Sequence, residues 1–68
     1  MKISARNQLS GTITAITEGA VNGHIKVDIG GGNVVTSSIT EEAIADLDLA
    51  VGDKVIVLVK ATDVLIAK

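Results

Sequence analysis

Aromatic residues are missing from this chain altogether. It has 68 residues and is 47% hydrophobic, yet contains no Phe, Trp or Tyr. Aromatic side chains make the largest single burials, about 150–250 Å² each, so the core must be filled with Val, Ile, Leu and Ala. So much aliphatic content in so short a chain points to apolar surface shared between copies. Cysteine is also absent, which excludes disulfides and thiolate metal sites. The single histidine, His24, excludes a multi-histidine metal site within one chain. A basic excess is lacking too, since the formal net charge is −2. Neither nucleic acid, which is attracted by phosphate neutralisation, nor an anionic membrane is therefore an expected partner. Any bound anion must be held by local groups against an unfavourable overall field. No apolar run reaches the 18 residues of a membrane span. The first eight residues, Met1 to Gln8, lack the apolar core of a signal peptide, so a cytoplasmic protein is expected.

Length sets the next bound. A domain of about 60 residues buries only about 60% of its unfolded surface, and such domains are rescued by disulfides, a structural metal or oligomerisation. With the first two excluded, a single domain over residues 1–68 that works as an oligomer is expected.

Hydrophobic periodicity gives the elements. Residues 3–7 could form a short strand. In residues 9–17, Leu9, Gly11, Ile13 and Ala15 alternate with Ser10, Thr12 and Thr14, the period of a strand. Residues 18–23 read as a hairpin connection. Ile25, Val27 and Ile29 then alternate with His24, Lys26 and Asp28, giving one buried and one polar face. Gly30-Gly31-Gly32-Asn33 is a turn, because these residues tolerate positive φ. A third strand covers 34–39. Thr40 can cap a helix whose first turn carries Glu41 and Glu42, and Ala43, Ile44 and Leu47 fit one helical face. Gly52-Asp53 ends that pattern. The unbroken run Val55-Ile56-Val57-Leu58-Val59 reads as a strand apolar on both faces, and residues 62–66 as a final strand of the same kind. One barrel of this size buries one face, so the other must meet a second subunit or lie exposed. The expected fold is all-β with one short helix, a small, partly open Greek-key barrel of the OB-like kind.

Two segments carry a more specific likeness. Ile3-Ser4-Ala5-Arg6-Asn7-Gln8-Leu9, followed by Gly11, stands near one end of the chain. Val59-Lys60-Ala61-Thr62-Asp63-Val64-Leu65-Ile66 stands near the other. In that order the pair resembles the molbindin (Mop) family and the related TOBE domains of molybdate transport and regulation, and the intervening hairpin, Gly-Gly-Asn turn, Thr-Ser strand and short helix resemble them too. The resemblance implies an OB-like barrel and a homohexamer that takes up molybdate or tungstate between subunits. It implies no catalysis, no organic cofactor and no metal other than the oxyanion itself. Family members commonly carry more basic residues where this chain has Ser10, Thr12, Thr14 and Thr17, which bears on surface charge rather than on fold.

The chemistry of such a ligand suits these residues. Molybdate and tungstate are tetrahedral dianions that accept hydrogen bonds and donate none at neutral pH. Their site needs converging backbone N–H groups, hydroxyls and cations. Ser4 offers a hydroxyl, Arg6 a fork of donors and Lys60 an ammonium, and charge-assisted bonds are roughly twice as strong as neutral ones. Ala5, Arg6, Ala61 and Thr62 offer backbone N–H groups, and Thr62 adds a hydroxyl. The reading places residues 4–6 of one copy against residues 60–62 of another around the anion. A second class of anion site, implied by the family, could use Ser37 and Ser38.

Each residue has a plainer role available. Lys60 could be a solvated strand-end charge. Arg6 could pair with Asp63 or Asp53 of a neighbouring copy, since guanidinium suits bidentate carboxylate pairing. Ser4 could satisfy a local backbone group, and Ser37 and Ser38 could be polar positions of a half-exposed strand. His24 alternates with a core face and points to solvent. The three glycines lack the GxxxxGK[ST] pattern of a phosphate loop. Other functions compete at the level of the whole chain. An enzyme would need a nucleophile–base pair or a metal site, and none is apparent. An OB-like nucleic-acid module would need stacked aromatics along a basic groove. A purely structural or regulatory oligomer, or a carrier of another tetrahedral oxyanion such as sulfate, remains open.

Overall fold

The computed structural model describes all 68 residues. Four strands, β1 (Asn7–Thr17), β2 (Asn22–Gly30), β3 (Asn33–Thr40) and β4 (Lys54–Val59), are joined by one helix, α1 (Glu41–Asp46), between β3 and β4. All pairings are antiparallel, and the sheet order is β3-β2-β1-β4. Three consecutive hairpin-linked strands with a fourth returning beside the first is the Greek-key arrangement. The sheet curls into a half-barrel whose outer strands, β3 and β4, leave open edges. The expected mostly-β fold with one short helix is therefore what forms.

The turn chemistry follows the sequence closely. Gly30 pairs with Asn33 across a two-residue loop, in which Gly31 and Gly32 have φ of +63° and +79°. Positive φ at both central positions is the type I′ hairpin, whose twist matches that of the strands. The Asp28 carboxylate accepts the Gly30 N–H at 2.8 Å and tightens the corner. At the start of α1 the Thr40 hydroxyl accepts the Ala43 N–H at 3.0 Å, the predicted cap. Glu41 goes beyond dipole matching, because its carboxylate accepts the Gly19 N–H at 2.7 Å. That bond ties the helix to the β1–β2 connection.

The core lies inside the curl. Ile13, Ile25 and Val27 are buried, and Ile16, Ile29, Ile39, Ile44, Leu49, Val55 and Val57 pack around them. Directly opposed residues of paired strands share a face, which explains the set: Ile13 faces Val27, and Val27 faces Val35. Gly11 lies tight against β2. A Cβ there would stand 2.6 Å from the Asp28 carbonyl oxygen and from Val27 Cγ1.

Four expectations are corrected, and one that was left open is decided. Residues 3–6 are not a strand, because the β1–β4 ladder ends at the pair Asn7–Val59 and leaves them no partner. Ala15 does not share the inner face of Ile13. The register shifts between the two, so that Ala15 opposes Lys26 while Ile16 opposes Ile25 and reaches the core. This is a bulge, an extra residue that flips the phase of everything after it. Leu47 lies beyond the helical face, as the C-cap of α1, and is 66% exposed. In β4 alternate residues face the core, and Ile56 and Leu58 lie on the exposed side, one of the two outcomes expected for the second apolar face. Finally, residues 62–66 form no strand within the chain: Ala61–Asp63 make a 3-10 turn, and residues 64–66 run on unpaired.

Candidate functional site

The β1–β4 register decides what lies beside what. Because Asn7 opposes Val59, the chain entering β1 and the chain leaving β4 emerge side by side. Two side chains hold that end in place. Asn7 Nδ2 donates to the Val59 carbonyl at 3.2 Å, and Gln8 Nε2 donates to the Ala5 carbonyl at 3.0 Å, bending the N-terminal arm across the strand end. The result is a hollow of about 300 Å³ lined by Ile3, Ser4, Ala5, Arg6, Lys60, Ala61 and Thr62.

Six of the eight residues singled out from the sequence thus line one hollow. The two segments were expected to meet across different copies, whereas the fold brings them together within one chain. Ile3 is the addition that sequence reasoning missed, and Asn7 and Gln8 are the supports. All three belong to the same run, Ile3 to Leu9, but an apolar residue and two amides beside four obvious donors gave no separate signal.

The hollow is electropositive by composition. It carries Arg6 and Lys60 and no carboxylate, in a chain whose net charge is −2. The side chains of Ser4, Arg6, Lys60 and Thr62 are exposed, so they lose little solvation until a ligand arrives. Backbone geometry adds donors. The 3-10 turn is closed by the Asp63 N–H to the Lys60 carbonyl at 2.9 Å and the Val64 N–H to the Ala61 carbonyl at 3.3 Å. The N–H groups of Ala61 and Thr62, at the head of that turn, have no partner within it. The hydroxyls, cations and free N–H groups of this hollow are donors suited to holding acceptor oxygens.

Ser37 and Ser38 are elsewhere. They lie on β3, at the far edge of the sheet from β4. Ser37 opposes buried Ile25 and is half-buried on the inner face, while Ser38 opposes His24 on the exposed face. The two side chains point to opposite sides of the strand, so they do not form one cluster within a chain. His24 points outward, as its alternation with the core residues predicted. No helix is long and apolar enough to cross a membrane.

Known proteins of the same shape and pattern exist. A "probable molybdenum-pterin-binding protein" of Haemophilus influenzae is 47% identical over 66 residues, covering 97% of this chain and 96% of its own. A molybdate-binding protein from Sporomusa ovata has 46% identity and a TM-score of 0.93, with full coverage of both chains. The cytoplasmic molybdate-binding protein ModG, in a form with molybdate bound, superposes with a TM-score of 0.84 at 41% identity, over 90% of this chain and 43% of ModG. The TOBE domain model matches residues 3–66. By the extent of that match and by these full-length relatives, the chain belongs to the TOBE domain family, as a domain of the molbindin (Mop) type.

Proposed function

We propose that this chain is a single, non-catalytic domain that binds molybdate or tungstate in the hollow between residues 4–6 and 60–62. It does so as a homo-oligomer, a hexamer by family likeness, that stores or buffers the oxyanion in the cytoplasm. One observation carries the reading: the hollow gathers two cations, two hydroxyls and unpartnered backbone N–H groups and includes no carboxylate. A tetrahedral dianion accepts from several directions at once, and this donor set approaches from two chain segments. Arg6 supplies paired N–H donors in a rigid fork, and Lys60 a compact charge on a flexible stem. The names of the full-length relatives, molybdenum-pterin-binding and molybdate-binding proteins, support the same ligand class. Since the hollow is open and shallow within one chain, a neighbouring copy would cover the remaining side of the anion. A second, separate anion site in the assembly would fall on β3, where Ser38 stands on the exposed face and Ser37 on the inner one.

Removing Lys60 tests the assignment. A hydrogen bond to a charged group contributes about 1.5–3 kcal/mol. Lys60→Ala is therefore expected to weaken molybdate binding by calorimetry roughly ten- to a hundredfold, with the circular dichroism spectrum unchanged. Unaltered affinity would remove Lys60 from the site. Equilibrium dialysis of the wild-type chain with molybdate, against a sulfate competitor of equal charge and shape, tests the ligand class. An assembled protein that takes up neither anion is a structural oligomer, and preference for sulfate would reassign the ligand.

A further inference from the structure

Charge is segregated along β1. Arg6 and Lys60 line the hollow at its Asn7 end, and Lys2 stands one residue before the lining Ile3. All three cations are exposed. At the Thr17 end the carboxylates of Glu18, Glu41 and Glu42 gather. Glu18 directly follows Thr17, the last residue of β1. Glu41 is fixed nearby by two bonds: its N–H donates to the Val21 carbonyl at 2.8 Å, and its carboxylate accepts the Gly19 N–H at 2.7 Å. Glu42 follows it in α1, a helix that packs against β2 and β3 and has no residue in the hollow. Strand β1 has 11 residues, so the two groups stand roughly 25–30 Å apart once the curl of the strand is allowed for.

That separation decides which charges an approaching dianion feels. At physiological ionic strength the screening length is about 8 Å. The far carboxylates lie about three screening lengths from the hollow, where their repulsion has all but vanished. Lys2 is placed differently. Its Cα is one peptide unit, about 3.8 Å, from that of Ile3, which keeps its ammonium on the order of 10 Å from the hollow. At that distance attraction is screened only in part. Among residues 1–6 and 60–63 the sole carboxylate is Asp63, and it does not line the hollow. The net charge of −2 is therefore not what the ligand meets, because the negative charge sits at the wrong end of the molecule to repel it.

We propose that Lys2 is a steering residue for the hollow. Its ammonium strengthens oxyanion uptake through the field at the mouth of the site, without touching the anion, and the Glu18, Glu41 and Glu42 carboxylates do not oppose it at ordinary salt. The inference rests on the oxyanion reading above and adds to it a residue outside the lining. Clefts bordered by one sign of charge concentrate counter-ions in this way. The Coulomb term is proportional to ligand charge, so the same ammonium favours a dianion over a monoanion of equal size. Segregation thus lets a net-acidic chain carry its carboxylates where they cap and tie a helix, while the end that meets the ligand stays positive.

The test is calorimetry of the full chain with molybdate over a range of ionic strength. Lys2→Gln is expected to weaken binding about two- to threefold at 0.01 M, where the screening length is about 30 Å, and to match the wild type at 1 M, where it is about 3 Å. Lys2→Arg keeps the charge and should follow the wild type at every salt. Glu42→Gln should change affinity by no more than about 1.3-fold at 0.01 M and not at all at 0.15 M. A Lys2→Gln deficit that persists at 1 M would make Lys2 a direct ligand and overturn the steering role. A deficit shared by Lys2→Arg would show that shape rather than charge is at stake, with the same consequence. Tighter binding by Glu42→Gln, as large as the loss in Lys2→Gln, would mean that net charge governs uptake and would also defeat the proposal. The two readings fail separately. A wild type that takes up no molybdate at any salt refutes the proposed function and this inference with it, whereas uptake with the same salt dependence in Lys2→Gln and the wild type refutes the inference alone.

Discussion

The middle of β1 and its Asn7 end belong to different kinds of surface. Around Ile13, side chains from the other three strands converge on a residue that is 1% exposed. At the Asn7 end, the two chain segments come together with the side chains of Ser4, Arg6, Lys60 and Thr62 exposed to solvent. One region is closed and apolar and sustains the fold. The other is open and polar and is held by backbone pairing and two amide side chains. Because β1 runs through both, the core can fix the position of the hollow without lending it a single side chain. Only four of 68 residues are buried, so stability is concentrated in few places while the ends are free to serve a ligand or a partner.

Substitution should separate the two regions, and the largest effect belongs to the closed one. Truncating a buried Ile costs about 2–5 kcal/mol through lost transfer energy and the cavity left behind, which is a large share of the stability of any small domain. Ile13→Ala is therefore expected to lower the urea midpoint sharply, with molybdate affinity per folded molecule little changed. Were affinity to fall in parallel with stability, the hollow would depend on the core more tightly than the geometry indicates. The reciprocal experiment is Arg6→Ala. Loss of a charge-assisted pair of donors should weaken oxyanion binding by roughly ten- to a hundredfold. The urea midpoint should move little, because Arg6 is exposed. A marked loss of stability would instead assign Arg6 to a structural ion pair.

Between these extremes stands the clip that joins helix to sheet. Thr40 caps α1 through the Ala43 N–H, and removing such a cap costs about 0.5–2 kcal/mol. Thr40→Ala should show that loss in chemical unfolding and leave anion binding untouched, since α1 contributes nothing to the hollow.

What could be read from the sequence follows the same division. Features set by local chemistry were legible: the Gly31–Gly32 turn, the Thr40 cap and the alternation that buries Ile25 and Val27. Features set by pairing were not. The bulge that exchanges Ala15 for Ile16 on the inner face arises from how β1 meets β2, and no residue in β1 announces it. Residues 3–6 and 62–66 have strand-like patterns, but a pattern does not say whether a partner is present, and in one chain neither segment has one. The donors of the hollow were legible as residue types at the two ends of the chain. Their meeting within a single copy was not, because it depends on the Asn7–Val59 pair, the last of a ladder whose register only the fold defines.

The smallest expected effect sharpens the point about local chemistry. Helix α1 ends in a Schellman arrangement: the Asp48 N–H donates to the Ala45 carbonyl at 3.0 Å and the Leu49 N–H to the Ile44 carbonyl at 3.1 Å. Ile44 and Leu49, the pair that accompanies this motif, both pack against the core cluster. The residue between them must be left-handed, and Asp48 is, with φ of 50°. Glycine is the usual occupant, and an L-residue there costs roughly 1–2 kcal/mol, less for Asp. Relief of that cost is partly offset by the greater freedom glycine has when unfolded. Asp48→Gly should therefore stabilise the chain by about 0.5 kcal/mol, visible as a small rise in urea midpoint with no change in oxyanion uptake. A decrease would mean that the Asp48 carboxylate does more for the corner than its backbone strain takes away, and would place that side chain, which lies far from the hollow, on the closed side of the comparison.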